Sequence, residues 1–167
     1  PARFGVVALG SVFRWDSPEV AEGELVVNSL PSSGFSESFR QIRANFQFAT
    51  SNKPGKAYMV TSPAPGEGKS TILGNLAVAF AASGKKVVIV DGDLRRPSMH
   101  GRFHGVDREP GLSNYLAEPG IAFESVSRAT DIDGISLIPG GTIPPNPAEL
   151  LGSPRMSTML EASKEVA

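Results

Sequence analysis

The run at 62–71, Ser-Pro-Ala-Pro-Gly-Glu-Gly-Lys-Ser-Thr, has the residue types of a loop that binds phosphate groups. Glycines at positions 66 and 68 would let the backbone adopt strained angles and direct N–H groups toward an anion. Lys69 would add a positive charge, and the Ser70 hydroxyl is placed to ligate Mg²⁺. The pattern predicts a site for ATP or GTP. Its predicted residues are Pro65, Gly66, Glu67, Gly68, Lys69, Ser70 and Thr71.

The strict form of this motif, G-x-x-x-x-G-K-[ST], begins with glycine, where this chain has Pro63. A surface turn rich in glycine and proline, with an incidental Lys-Ser pair, is the alternative interpretation. A strand predicted over 57–60 precedes the loop, and a helix predicted over 70–83 follows it, ended by Gly84. Because a phosphate loop sits between such a strand and such a helix, this context favours the phosphate site.

Asp91 and Asp93 follow the apolar run Val-Val-Ile-Val at 87–90, which predicts a strand buried on both faces. The carboxyl ends of parallel strands are where Mg²⁺ ligands and carboxylates that orient a reacting hydroxyl are needed. A plain Asp-Gly turn is the alternative, which the neighbouring phosphate loop makes less favourable. We therefore predict Lys69, Asp91 and Asp93 as catalytic residues, and Ser70, Asp91 and Asp93 as metal ligands. The sequence does not divide the roles of the two aspartates.

The elements around these residues predict an α/β fold with helices on both faces of a mostly parallel sheet. Residues 1–34 are weakly patterned and are predicted to be an approach segment with a short strand within 4–13, and the domain is predicted to span 35–167. Apolar residues recur at helical spacing from Phe35 to Ala49. The remaining predicted elements are helices at 111–117 and 123–128, a parallel strand at 135–138, a loop at 139–145, and a last helix with Ser153 as N-cap and Pro154 at its first position, burying Met156, Met159, Leu160 and Val166.

Composition excludes several classes of function. The 167 residues carry 16 Lys and Arg against 17 Asp and Glu, so there is no basic excess of the kind that binds nucleic acid, and we expect no such partner. The absence of cysteine excludes disulfides and thiolate metal sites. The longest apolar run, at 76–82, is too short to span a bilayer, and we expect this piece to be soluble. His100 and His104 have a metal-binding spacing but no evident third ligand.

Four runs, SPAPGEGKST, VVIVDGDLRRP, ESFRQIRANF and GGTIPPNPAELL, resemble the cytosolic catalytic domain of bacterial tyrosine kinases, over about residues 35–167. These kinases are partners of Wzz-type chain-length regulators in capsule and exopolysaccharide export. The resemblance implies a three-layer α/β/α P-loop NTPase fold, ATP and Mg²⁺ as cofactors, and transfer of the γ-phosphoryl group to tyrosines of neighbouring protomers. Lys69 and Ser70 match the family's nucleotide and Mg²⁺ residues, and Asp91 and Asp93 match its second motif, Walker A′.

The resemblance also implies partners and a location. Glu37, Arg40 and Arg43 match the family's E-x-x-R-x-x-R helix, which implies a ring-like homo-oligomer, although the residues alone equally fit a solvated helix face. The stretch at 4–12 resembles the connection to a membrane regulator. The parent chain is therefore expected to be anchored at the cytoplasmic side of the bacterial inner membrane, with a Wzz-like regulator in the same or a partner chain.

Two departures from the family bear on activity. Its Walker B motif, an apolar strand ending in Asp-x-Pro-Pro, and its C-terminal tyrosine cluster are absent from this sequence, which leaves only Tyr58 and Tyr115. We interpret the chain as truncated, with a fold incomplete at the C-terminus, and the hypothesis that follows is that this fragment is itself inactive. One alternative is a ParA/MinD-type ATPase, disfavoured because such proteins carry a signature lysine where this chain has Ala64. The other is an ATP-sensing assembly module that phosphorylates nothing.

Overall fold

The computed structural model describes residues 6–14, 20, 23–52 and 57–167. The chain divides into two compact units, Pro1–Phe80 and Ala81–Ala167. The boundary predicted at 34/35 stays a prediction. The helices are α1 (Val26–Ser29), α2 (Gly34–Thr50), α3 (Lys69–Ala81), α4 (Leu112–Ala117), α5 (Phe123–Val126), α6 (Pro147–Leu151) and α7 (Pro154–Val166), with a 3₁₀ helix at Met99–Arg102; the strands are β1 (Val87–Val90), β2 (Arg128–Ala129) and β3 (Ile135–Ile138).

Helix α2 organises the first unit. It begins after Ser33, whose Oγ accepts the N–H of Ser36 at 3.1 Å and so caps the helix. Phe35 and Phe39 are buried on one face, with ring centroids 5.1 Å apart. The predicted helix over 35–49 is confirmed; its apolar stripe is buried at Phe39, half-buried at Ile42 and Phe46, and exposed at Ala49.

The second unit contains a small mixed sheet in the order β1, β3, β2. Strands β1 and β3 are parallel, with Val87 opposite Ile135 and Val90 opposite Ile138, as the apolar runs predict. Strand β2 pairs antiparallel with β3 over two residues. The core beside the sheet is a cluster of buried apolar side chains: Leu94, Leu112, Tyr115, Leu116, Val126, Ile138 and Met159.

The strand predicted over 57–60 is wrong. This segment has no regular secondary structure, and Met59 is 85% exposed. A strand needs a neighbour to pair its backbone groups, and within the described residues the only paired strands lie at 87–90, 128–129 and 135–138. The short strand predicted within 4–13 is also not formed at residues 6–13, while 4 and 5 lie outside the described residues.

Three further predictions need correction at their ends. The helix predicted over 123–128 stops at Val126 because Arg128 pairs with Leu137 of β3. Helix α7 does begin at Pro154, but the Ser153 side chain makes no capping hydrogen bond. Met159 is buried as expected, whereas Val166, the last residue of the helix, is 48% exposed.

Among the described residues, no helix combines the length and apolar character needed to cross a bilayer.

Candidate functional site

The candidate phosphate loop is open. Gly66 and Gly68 have φ values of 80° and 86°, in the left-handed region that glycine adopts at little cost. A Cβ built at either position would meet no atom within 4 Å. Within the loop, the Ser62 Oγ donates to the Ala64 carbonyl at 2.9 Å, and the Ala64 N–H donates to a Glu67 carboxylate oxygen at 3.2 Å. The two glycines therefore shape a turn with free space above it.

Helix α3 starts directly at the end of this loop. Lys69, Ser70 and Thr71 form its first turn, which contains no acidic residue, and the Ile72 N–H donates to the Gly68 carbonyl at 2.8 Å. The three side chains are half-buried. Since a helix N-terminus carries a partial positive charge, this turn can bind an anion without a competing carboxylate in the turn itself.

Sequence reasoning did not identify Asn75. This residue lies two turns into α3 and is fully buried. Its Oδ1 accepts the Val27 N–H at 2.9 Å, and its Nδ2 donates to the Thr71 carbonyl at 2.9 Å. The available signal was one polar residue inside the apolar stretch 72–80, because a buried amide needs partners for both of its ends.

Both carboxylate oxygens of Asp91 accept backbone N–H groups. Its Oδ2 accepts from Ser98 and Met99, each at 2.9 Å, and its Oδ1 accepts from Asp93 at 3.2 Å. Its own N–H donates to the Ile138 carbonyl at 3.0 Å and extends the pairing of the two parallel strands by one residue. With only 4% of its surface exposed, Asp91 holds the loop from 91 to 99 in shape.

Burial raises the pKa of the Asp91 carboxyl above its ordinary value of 3.8. Desolvation is the largest cause, because removing water penalises the charged form. The hydrogen bonds from Met99, Ser98 and Asp93 lower the pKa and oppose this effect, and the negative charge of Asp93 adds a smaller upward contribution. The three backbone N–H groups therefore offset part of the cost of burying this carboxylate in its charged form.

Asp93 is the more accessible aspartate. It is half-buried, and its Oδ1 accepts the Arg96 N–H at 3.1 Å, an arrangement that closes a turn. Within the described residues, no hydrogen bond reaches its other carboxylate oxygen, Oδ2, unlike in Asp91, where both oxygens accept backbone N–H groups. The sequence could not divide the two roles, and the difference arises from how the loop folds back onto Asp91.

The run GGTIPPNPAELL follows β3 and is held against α4. The N–H of Leu112 donates to the Pro139 carbonyl at 2.7 Å, and the Ser113 N–H donates to the Gly140 carbonyl at 3.0 Å. A Cβ at Gly111 would collide with the Gly141 nitrogen, so glycine allows two backbone segments to touch. The loop predicted at 139–145 is present, and α6 follows it at 147–151.

The three charged residues of α2 differ in their contacts. Glu37 and Arg40 form an ion pair of 2.7 Å, and the Arg40 side chain also donates to the Pro31 carbonyl at 2.8 Å. The Glu37 side chain is 65% exposed. Arg43 instead donates to the Ala79 carbonyl of α3 at 3.0 Å, within its own unit. Their role as an oligomer interface stays a prediction.

The predicted site residues are distributed over the two units. The loop residues from Pro65 to Thr71 lie in the unit 1–80, and Asp91 and Asp93 lie in the unit 81–167. In the part of the chain that the structure describes, no three His, Asp or Glu side chains form a group that could hold a metal, so the His100 and His104 pair finds no third ligand.

Comparisons with known proteins identify the family. Residues 58–165 match the CobQ/CobB/MinD/ParA nucleotide binding domain. The structure is similar to the BceF tyrosine kinase domain, with a TM-score of 0.83 and 34% sequence identity, covering 97% of this chain and 68% of that one. This chain belongs to the bacterial tyrosine kinases of that nucleotide-binding family. The P-loop NTPase fold and the α/β class predicted from the sequence are confirmed.

Two other relatives agree with this assignment. The tyrosine-protein kinase YwqD of Bacillus subtilis (strain 168) is 43% identical over 135 residues, which are 81% of this chain and 56% of YwqD. The kinase domain of the Escherichia coli tyrosine kinase ETK is 28% identical, with a TM-score of 0.82, covering 96% of this chain and 66% of that one. The chain thus spans little more than half of the length of its curated relative YwqD.

Proposed function

We propose that the protein containing this chain is an ATP-dependent protein-tyrosine kinase of capsule or exopolysaccharide synthesis and export. It transfers the γ-phosphoryl group of ATP to tyrosine hydroxyls of neighbouring copies. The observation that carries the proposal is the open loop with Gly66 and Gly68 at positive φ, which leads directly into the first turn of α3 at Lys69. Membership of the tyrosine-kinase family supports tyrosine as the acceptor.

In this proposal, the residues from Pro65 to Thr71 bind the phosphate groups of ATP. The loop N–H groups and the positive end of α3 bind the phosphate oxygens, and Lys69 balances the negative charge that accumulates during transfer. Since the space above Gly66 and Gly68 is open, phosphate oxygens can approach the backbone closely there.

The donor chemistry fits Mg²⁺, a cation that prefers oxygen ligands. The Ser70 hydroxyl and the carboxylates of Asp91 and Asp93 are the groups of this chain proposed to hold the ion, which would supply electrostatic stabilisation of the phosphate charge. Asp93, half-buried and with a carboxylate oxygen outside the backbone bonds of its turn, is better suited to a direct contact than Asp91. Asp91 supports Asp93 by accepting its N–H and fixing the loop.

The transfer is proposed as an in-line displacement. The acceptor tyrosine oxygen forms a bond to the γ-phosphorus, the bond from that phosphorus to the β,γ-bridging oxygen breaks, and ADP leaves with the electron pair. The proton of the tyrosine hydroxyl passes to the carboxylate of Asp93, which orients the hydroxyl before transfer. Positioning and charge stabilisation supply most of the catalysis in such reactions.

Self-association through α2 is the remaining part of this function. The Glu37 side chain is 65% exposed and is suited to contact a neighbouring copy in a ring. Arg40 is less exposed, at 39%, and pairs with Glu37 within the same chain. Arg43, which donates to α3, contributes by holding α2 in place. A Wzz-like membrane regulator in the same or a partner chain, and a location at the cytoplasmic side of the inner membrane, complete the proposal.

Phosphotyrosine detection tests the proposal. The parent protein is incubated with Mg·ATP and analysed by mass spectrometry, beside a Lys69→Ala variant and an exposed-lysine control, Lys85→Ala. We expect phosphotyrosine in the wild type and in Lys85→Ala, and none in Lys69→Ala. An unphosphorylated wild type that still binds ATP would contradict tyrosine transfer.

The second candidate is an ATP-controlled assembly module that phosphorylates nothing. The observation that favours it is the burial of Tyr115, one of the two tyrosines of this chain. Tyr115 is only 5% exposed, with the Arg155 guanidinium 4.4 Å from its ring centroid, whereas Tyr58 packs edge-on against Phe46 at 4.5 Å but is 51% exposed. If ATP changes the oligomeric state of the parent protein, measured by analytical ultracentrifugation, and no phosphotyrosine forms, this candidate is favoured over the kinase.

A further inference from the structure

Asn75 connects the phosphate-loop helix to a segment that precedes it by nearly fifty residues. Its Oδ1 accepts the Val27 N–H, and its Nδ2 donates to the Thr71 carbonyl, both at 2.9 Å. Thr71 lies in the first turn of α3, two residues after Lys69. Because Asn75 is fully buried, water cannot replace either partner when a bond is lost. One side chain thus joins the backbone at 27 to the turn that carries the phosphate motif.

The leading segment, defined as residues 25–27, is seated against α3 at the same place. Leu25, Val26 and Val27 are each buried. A Cβ added at Gly74 would lie 2.6 Å from the Leu25 Cδ2, so glycine next to Asn75 makes room for this side chain. The two residues 74 and 75 together form a slot on α3 that the leading segment fills with one apolar side chain and one N–H group.

A second polar residue holds the leading segment from the other side. The Ser36 Oγ of α2 donates to the Leu30 carbonyl at 2.7 Å and to the Val26 carbonyl at 3.5 Å, and Ser36 is also fully buried. The side-chain hydrogen bonds of Ser36 within the described residues are with Ser33, Val26 and Leu30, so it anchors the segment without a hydrogen bond to the phosphate-loop helix. It offers a matched control for Asn75, since both are buried polar side chains bonded to the same stretch of backbone.

We propose that Asn75 is a positioning residue that couples docking of the leading segment to nucleotide binding at the phosphate loop. The inference rests on the proposed function, since it requires a nucleotide at 62–71. A ligand that orders the first turn of α3 fixes the Thr71 carbonyl, which favours the Asn75 orientation that accepts the Val27 N–H. By thermodynamic linkage, docking of the segment then tightens nucleotide binding by the same factor.

Hydrogen exchange at the Val27 amide measures this coupling, because that N–H is the donor to Asn75. The 167-residue chain is compared with and without saturating Mg·ADP, and ADP affinity is measured by calorimetric titration of the same samples. We expect ADP to slow Val27 exchange by about fivefold or more, the lower end of typical coupling factors. Asn75→Leu should lose this ADP dependence and bind ADP about fivefold more weakly.

Two variants separate coupling from a loss of stability. Ser36→Ala loosens the leading segment, so Val27 should exchange faster overall but keep its ADP dependence. Asn75→Asp retains the acceptor for Val27 and removes the donor to Thr71, so it should lose the dependence with the Val27 bond still possible. If both Asn75 variants fail to fold, the wild-type measurement still overturns the coupling when bound ADP leaves Val27 exchange unchanged.

The outcomes distinguish the coupling from the proposed function. ADP binding that leaves Val27 exchange unchanged in the wild type would overturn the coupling and leave the nucleotide site standing. ADP dependence that persists in Asn75→Leu would overturn it equally. If neither the wild-type chain nor the parent protein binds ADP, both the coupling and the proposed phosphate site are wrong.

Discussion

The phosphate loop at 62–68 and the acidic loop at 91–99 are built in opposite ways. The first is largely exposed, has two glycines with positive φ, and leaves open space where their side chains would be. The second folds around a buried carboxylate, with Asp91 accepting three backbone N–H groups and Leu94 and Met99 buried beside it. The phosphate loop is shaped to receive polar groups from a ligand, whereas the acidic loop forms its hydrogen bonds within itself.

This difference shows that similar motif residues can contribute in different ways. A loop with open space above its glycines gains its main interactions from a ligand, so its substitutions should alter binding more than folding. A loop organised by Asp91 is held by its own backbone hydrogen bonds, so changes to Asp91 should alter folding first. Asp93 stands between the two cases, since it belongs to the folded loop but has a carboxylate oxygen outside the turn it closes.

The largest expected effect concerns Asp93. Asp93→Asn removes the proposed acceptor of the tyrosine proton while keeping its size, so phosphotyrosine formation by the parent protein should fall by about 10²–10⁴-fold. Its unfolding midpoint in urea should change little, because the variant keeps one carbonyl oxygen for the Arg96 N–H. The exposed Asp133→Asn is the matched control and should retain full activity. Unchanged transfer in Asp93→Asn would remove Asp93 from the mechanism.

The next effect concerns the open loop. Lys69→Ala removes a charge that is proposed to contact phosphate, and bonds to charged groups contribute about 1.5–3 kcal/mol, so Mg·ADP affinity should fall by roughly 10- to 100-fold. Calorimetric titration measures it, with Lys85→Ala as the control. Equal affinities in the two variants would mean that the run 62–71 is an ordinary turn.

Asp91→Asn tests the folded loop. The variant places an NH₂ group where one carboxylate oxygen accepts backbone N–H groups, so a buried donor loses its partner and unfolding should become easier by about 1–3 kcal/mol. Urea denaturation of the 167-residue chain measures this loss, and Asp93→Asn is the natural comparison. A variant as stable as the wild type would show that Asp91 does not hold the loop.

Much of the fold could be predicted because its signals are local. The stripe containing Phe35 and Phe39 predicts α2, and the consecutive apolar residues at 87–90 and 135–138 predict two parallel strands. The prediction of a strand at 57–60 was wrong because an apolar run becomes a strand only when another strand pairs with it. Strand β2 was missed for the related reason that two residues pairing with β3 leave no periodic pattern in the sequence.

The candidate site was predictable in part for the same reason. The loop at 62–71 combines its residues within ten positions, so a motif reveals it. The partners of Asn75 and Asp91 do not follow from a motif: Val27 is 48 residues from Asn75, and Ser98 and Met99 reach Asp91 only after the chain turns back. Roles that depend on such contacts require the folded backbone.

Gly68→Ala and Gly84→Ala form a pair with a smaller expected effect. Both glycines have φ near 80°, at 86° and 79°, and a Cβ at either meets no atom within 4 Å, so each variant should lose about 1 kcal/mol of stability from backbone strain alone. Only Gly68→Ala places a methyl group where phosphate is proposed to approach, so only it should also weaken Mg·ADP binding. Thermal unfolding and calorimetric titration measure the two quantities. Equal ADP affinities in the two variants would mean that phosphate does not bind in the open space at Gly68.

The smallest expected effect is a dependence on pH that belongs to the folded loop. Burial raises the pKa of Asp91, so between 3.8 and the raised value the folded chain binds a proton that the unfolded chain does not. The contribution of Asp91 to stability is therefore fully present below 3.8 and is lost as the pH rises through the folded pKa. Relative to Asp91→Asn, the wild type should gain stability in urea titrations as the pH falls from 7 toward 4. If the free energy of unfolding of the wild type instead falls relative to that of Asp91→Asn on acidification, the backbone N–H groups, which favour the charged form, outweigh the desolvation of this carboxylate.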